Sequence, residues 1–166
     1  MARRFPVPVV AIAFAVLGLV FCEPVHAQTG AACLAGKLRA VGKKEAGLLT
    51  CEAKVAARGD ASTLPGCEAK ASAKFSSAMA RYTGCSGTTP DCETAADTCE
   101  QDLRTALPDG TTPVTASPCE GARLKAAGKK AKGILKCYAK AALKGVAVDT
   151  APGGCVDKVE TKFATL

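Results

Sequence analysis

Cysteine and lysine are the residues of this chain best equipped to do chemistry. Ten cysteines could form disulfides, hold a metal or run a redox step. Gly-Lys-Lys at 42–44, and again at 128–130, could hold an anion. The one histidine, His26, falls inside an N-terminal stretch that reads as an export signal. Beyond it there is no imidazole, which excludes Ser-His-Asp and Cys-His nucleophilic sites, His-ligated zinc and His-ligated haem. No Cys-x-x-Cys occurs, and the closest spacing is seven residues, at Cys85, Cys92 and Cys99. That argues against zinc, iron–sulfur clusters, thioredoxin-like exchange and covalent haem. The expectation is no catalytic residue, no metal and no cofactor.

Three further patterns are weighed on the same terms. Gly42-Lys43 and Gly128-Lys129 are not P-loops, because Lys37 and Arg123 stand where the first glycine is needed and Lys follows in place of Ser or Thr. Arg58-Gly59-Asp60 matches an adhesion tripeptide, but a basic last turn and a C′ glycine account for Arg-Gly without it. The carboxylate neighbours Glu93/Asp97 and Asp97/Glu100 have no aromatic wall to raise a pKa, so they read as a solvated acidic face.

The elements that must position these residues begin after the signal. Arg3 and Arg4 give its positive end, Val7 to Phe21 its apolar run, and Val25-His26-Ala27 a cleavage site, so residues 1–27 are read as removed. The apolar run is shorter than the ~20 residues a membrane anchor needs. Leu19-Val20-Phe21-Cys22 fits a lipid-attachment box poorly because of Phe21. Of the remaining 139 residues only 21 are Leu, Ile, Val or Phe, below the ~20% at which burial alone begins to suffice. Alanine supplies 28 and cysteine nine. A thin, Ala-rich core with many cysteines points to helices held by disulfides, each worth about 2–4 kcal/mol. There is no Asn, hence no N-glycosylation acceptor.

The chain repeats itself. Shifted by 86 residues, Cys33–Gly59 matches Cys119–Gly145 at 13 of 27 positions, and Cys67, Lys70 and Lys74-Phe75 then correspond to Cys155, Lys158 and Lys162-Phe163. Cys33 to Cys51, Cys67 to Cys85 and Cys119 to Cys137 are each 18 residues apart. Eighteen residues is five helical turns, so each pair shares a face ~27 Å apart. A first helix is predicted from about Ala31 to Arg58 and a second from Cys67 to Gly84. Folded back antiparallel, they bring nested disulfides Cys33–Cys85 and Cys51–Cys67 into register.

Leu34, Leu38, Val41, Leu48 and Val55 make the apolar stripe of the first helix. Lys37 and Lys44 sit at its edge, with stems expected to cover the seam and ammonium groups to stay in water. The second unit pairs Cys137 with Cys155. Cys119 would then want a partner near position 173, beyond the last residue, so the sequence reads as part of a longer protein; the other reading is a genuine end with Cys119 bonded elsewhere. A third helix is predicted from Asp91 to Leu107, and Thr111 to Pro118 reads as linker. On that helix Cys92 and Cys99 stand ~10 Å apart, too far to bridge, and their pairing is left open.

The pattern Cys119, Lys125, Gly128-Lys129-Lys130, Cys137, Ala139-Lys140-Ala141, Lys158-x-x-x-Lys162-Phe163 resembles a group of exported bacterial Ala/Lys/Cys-rich repeat proteins. The first unit departs at Arg39 and Val55. The resemblance covers nearly the whole chain after the signal. It implies bacterial export and tandem units, and it carries no activity with it.

The reading is therefore an all-α chain of tandem disulfide-stapled antiparallel helical hairpins, at 28–85 and 119–166, joined by an acidic helical segment and linker at 86–118. Charge follows the same divisions: residues 31–85 carry net +5, 86–118 net −5 and 119–166 net +6. Lys43, Lys44, Lys129 and Lys130 are the candidate anion-binding residues, against the plainer reading of a solvated helix face. Aromatics for base stacking are few, so no specific nucleic-acid motif is read. Expected partners are an anionic surface or polymer, or a second copy through the alternating charge. The function expected is a non-enzymatic structural or binding module, secreted, periplasmic or at the cell surface, with no transmembrane segment after signal cleavage. The alternative is a cationic, membrane-active effector, and third a protease inhibitor presenting Gly59–Gly66.

Overall fold

The computed structural model describes residues 30–106 and 115–164. The expected signal at 1–27 and the first part of the expected linker, 111–114, lie outside the described residues. Among these residues the chain forms five helices and no strand: α1 Gly30–Arg58, α2 Leu64–Met79, α3 Thr89–Ala106, α4 Pro118–Lys144 and α5 Cys155–Phe163. The fold class is all-α. Three disulfides hold it: Cys33–Cys85, Cys51–Cys67 and Cys137–Cys155, with Cα–Cα separations of 6.0, 5.7 and 5.8 Å. These are the pairs drawn from the spacing.

Local sequence sets the helix ends. α1 is rich in Ala, Leu, Lys and Glu and has no proline; it stops where Gly59 takes φ 68° and donates its N–H to Val55 O at 2.7 Å. α2 begins a turn earlier than predicted, at Leu64, because Pro65 fits the first turn, where an amide hydrogen has no partner to lose. It also ends earlier, at Met79 rather than Gly84. The chain turns there so that Cys85 reaches Cys33, and the Lys37 ammonium gathers the carbonyls of Cys85, Ser86 and Gly87 at 2.9, 3.3 and 2.6 Å. α3 opens on a reciprocal cap: Thr88 N–H donates to Asp91 Oδ2 at 3.1 Å and Asp91 N–H to Thr88 Oγ1 at 3.3 Å. The Thr88 hydroxyl, which donates to Asp91 Oδ2 at 2.6 Å, and the Thr88 N–H together hold the Asp91 carboxyl below its usual range. Ser117 caps α4 by accepting from Glu120 N–H at 3.3 Å, and its own N–H donates to Ala56 O at 2.6 Å, fixing the start of α4 to the end of α1.

α1 is the axis of the molecule. α2, α3 and α4 all pack on it, and α5 packs on α4. Its most extensive partner is α4, so the two hairpins are joined face to face through their long helices. The acidic helix between the two hairpins, α3, is also a layer laid on α1. The α1–α4 contact is antiparallel and close. A Cβ on Gly42 would stand 3.1 Å from Leu135 Cβ, and one on Gly128 the same 3.1 Å from Leu49 Cβ. Adding or subtracting 86 interchanges these two contacts, the reciprocity of an isologous two-fold interface.

The apolar core is correspondingly small. Leu49, Ala53, Ala56 and Leu124 form one cluster between α1 and α4, and Ala40, Phe75 and Met79 another between α1 and α2. Small residues let backbones approach, and dispersion over that contact takes the place of large side chains.

Candidate functional site

Two sites emerge around α1, and they meet at Lys44 and Phe75. The first is a groove of about 770 Å³ between α1 and α2, a size within the range of small-ligand sites. Its floor is apolar: Ala40, Gly47, Ala71, Phe75 and Ala78, with the Cys51–Cys67 bond at one end. Its rim is cationic, with Lys43 and Lys54 from α1, Lys70 and Lys74 from α2, and Arg81 just beyond. All five are exposed. No carboxylate lines the groove.

Helical geometry explains the rim. Lys43 and Lys54 are eleven residues apart, three turns or ~16 Å along one face, and Lys70 and Lys74 are one turn apart, ~6 Å. The floor is open because Gly47 and Ala71 meet where larger residues would fill it; a Cβ on Gly47 would lie 3.2 Å from Ala71 Cβ. Sequence reasoning singled out Lys43 but missed Lys54, Lys70, Lys74 and Arg81. The usable signal was the shared face of Lys43 and Lys54, opposite the i, i+4 pair Lys70/Lys74.

The second site lies under α3. Lys44 is buried, at 2% exposure, and its ammonium meets Glu93 Oε1 and Asp97 Oδ1, each at 2.8 Å, with the Phe75 ring centroid 5.2 Å away. Lys37 is buried as well. Neither ammonium stays in water, which corrects the expectation for both. The reason is the layer above them: α3 and the turn before it bring acceptors to each. The Glu93/Asp97 pair is thus no free solvated face. It clamps one lysine.

Glu45 lies next to Lys44 at 1% exposure, and neither carboxylate oxygen meets a hydrogen-bond donor in ordinary geometry. Burial pushes its carboxyl up to about 7; the Cys99 thiol beside it counters part of this, while Glu100 and Asp97 add to it. The same burial, with Glu45 as neighbour, pushes the Cys99 thiol up to about 11. At neutral pH that sulfur is a protonated thiol, a poor nucleophile. Cys92, Cys99 and Cys119 are unbonded. Among the described residues, no three metal-ligating side chains come together.

The four lysines singled out by sequence are not gathered into one site. Lys43 and Lys44 both line the groove, Lys44 with its ammonium clamped beneath α3, while Lys129 and Lys130 lie on α4, the first exposed and the second half-buried. The Arg58-Gly59-Asp60 tripeptide is no free loop tip, since a Cβ on Gly59 would stand 2.9 Å from Ala116 N. Among the described residues no helix is long and apolar enough to cross a membrane. No protein family, curated protein or solved structure matches the chain.

Proposed function

We propose that the chain is a non-enzymatic binding module working outside the cytoplasm, secreted, periplasmic or at the cell surface, whose groove between α1 and α2 takes an anionic polymer. The observation that carries this is the groove itself: five exposed cations around an apolar floor, with no carboxylate in the lining. Cations one turn apart match repeated sulfate, phosphate or carboxylate groups, and their attraction is long-ranged at low salt and screened at high salt. Three disulfides suit an oxidising compartment. No imidazole follows His26, and the polar groups lining the groove are cations and the Thr50 and Ser77 hydroxyls, which supports reading it as a binding surface.

The test is salt-dependent retention on immobilised heparin. K43E/K74E should elute at clearly lower salt than the parent, and K125E/K129E, which removes as much charge from α4, should lose much less. Equal losses would show attraction to net charge alone and defeat the groove reading. A second reading has one observation of its own: Leu143 and Val146 are 45% and 57% exposed beside Lys140 and Lys144. These would favour a cationic effector at anionic membranes. Binding to anionic vesicles that L143S/V146S abolishes and K43E/K74E does not would select it.

A further inference from the structure

Among the described residues, one of two corresponding helix faces is covered and the other is open. On α1 the face built from Lys37, Val41, Lys44, Leu48, Glu52 and Val55 meets the turn before α3 at Lys37 and α3 itself at Lys44, and every member but Val41 is buried. Adding 86 gives the corresponding face of α4: Arg123, Ala127, Lys130, Ile134, Tyr138 and Ala141. No member of this second set is buried, Tyr138 is 44% exposed, and no described helix packs over it apart from α1 and α5 on its flanks.

We propose that this face of α4 is a docking site for an acidic amphipathic helix of another polypeptide, seated as α3 is seated on α1. The template is in the same molecule. There, carboxylates one turn apart, Glu93 and Asp97, grip Lys44, and Ala96 between them is buried to 1% exposure. On α4, Lys130 holds the position of Lys44 and makes no ion pair among the described residues. Ile134, Tyr138 and Ala141 recur at helical spacing as the apolar stripe that a partner helix would cover, bordered by Ala127, which already packs against the α1–α4 core.

Charge complementarity selects an acidic partner, and more cleanly than on α1. Residues 119–166 carry net +6, and the position of Glu45, whose carboxylate opposes α3, is Ala131 on α4. The position of Glu52 is Tyr138, an aromatic of the kind enriched at interface centres. Lys129 lies about a quarter-turn away on the solvated face and is not part of the site.

The experiment uses the disulfide-intact chain and a labelled synthetic peptide of residues 88–106, with C92A and C99A, followed by fluorescence anisotropy and photo-crosslinking. The proposal expects saturable binding that salt weakens. K130E should weaken it by about tenfold or more and K129E by less than about twofold. Crosslinks should fall on Ile134 and Tyr138. Absence of saturable binding, indifference to K130E, or crosslinks confined to α1 or α2 would overturn the proposal. So would self-association of the chain that K130E abolishes without any peptide binding, since a second copy would then be the occupant.

Discussion

The two halves of the molecule start from matching sequence and reach different ends. In the first half α1 is covered on three sides, by α2, α3 and α4, and has two disulfides along its length. In the second, among the described residues, α4 is covered chiefly by α1 and α5, and one disulfide joins it to α5. The long helices meet through reciprocal contacts, so the difference lies outside their interface. It lies in one acidic helix. That helix turns Lys44 from a surface residue into a buried clamp, whereas Lys130 in the corresponding place stays half-buried and unpaired among the described residues. A lysine's role here is set by what is laid over it, and the Gly-Lys-Lys motif does not determine it.

The largest difference between the halves should appear when the staples are cut. Cys33–Cys85 spans 52 residues of chain and Cys137–Cys155 spans 18. In the chain-entropy account, these are worth about 4 and about 3 kcal/mol respectively. C33A/C85A should therefore lower unfolding stability in guanidinium more than C137A/C155A. It should also free the turn at 85–87 from Lys37, so proteolysis near Gly87 should increase in the first variant only. An equal loss in both would mean that the covering helix stabilises the first half without help from that bond.

The staples were legible because cysteine spacing and helical pitch are both fixed quantities, and two helices carrying cysteines 18 residues apart can match only in a few registers. The all-α class was legible for a similar reason, in alanine content and in the C′ residue Gly59, which takes φ 68°. The burial of Lys37, Lys44, Glu45 and Glu52 was not. A pattern rule assigns charged residues to solvent, and only the position of a helix more than 40 residues away reverses that. The groove was half legible: Lys43 is in a motif, but Lys54 and Lys74 acquire meaning only once α1 and α2 are set side by side.

A smaller effect, of opposite sense to ordinary acid denaturation, should come from Glu45. Its carboxyl titrates near 7 in the folded chain against 4.5 when free. Between those values the folded state holds a proton that the unfolded state has released, so stability falls as pH rises from about 4.5 to about 7 and levels off above. The loss should be about 3–3.5 kcal/mol, at ~1.4 kcal/mol per pH unit. E45Q should remove this slope and raise stability at pH 7.5, read from denaturation midpoints at pH 5 and pH 7.5. The second half has Ala131 in this place and contributes no such slope. If E45Q leaves the slope intact, the group responsible lies elsewhere.

The finest comparison sets Lys44 against Lys130. K44A leaves Glu93 and Asp97 facing Glu45 without a cation and removes the stem that lies against Phe75. The two carboxylates are 36% and 53% exposed, so water and salt screen much of the attraction. The cost should be about 2 kcal/mol, below the range for a fully buried pair. K130A removes a half-buried lysine with no described ion partner and should change stability by less than about 0.5 kcal/mol. K44A should also extend the decline to pH values above 7, because losing the Lys44 cation removes one of the groups that lower the Glu45 carboxyl. E45Q/K44A should then cost less than K44A alone, and the difference measures their coupling. Adding the acidic peptide at saturation should bring the halves together. K130A would then reduce the peptide's stabilisation of the chain, and a lysine that was neutral in the free protein would behave like its counterpart beneath α3.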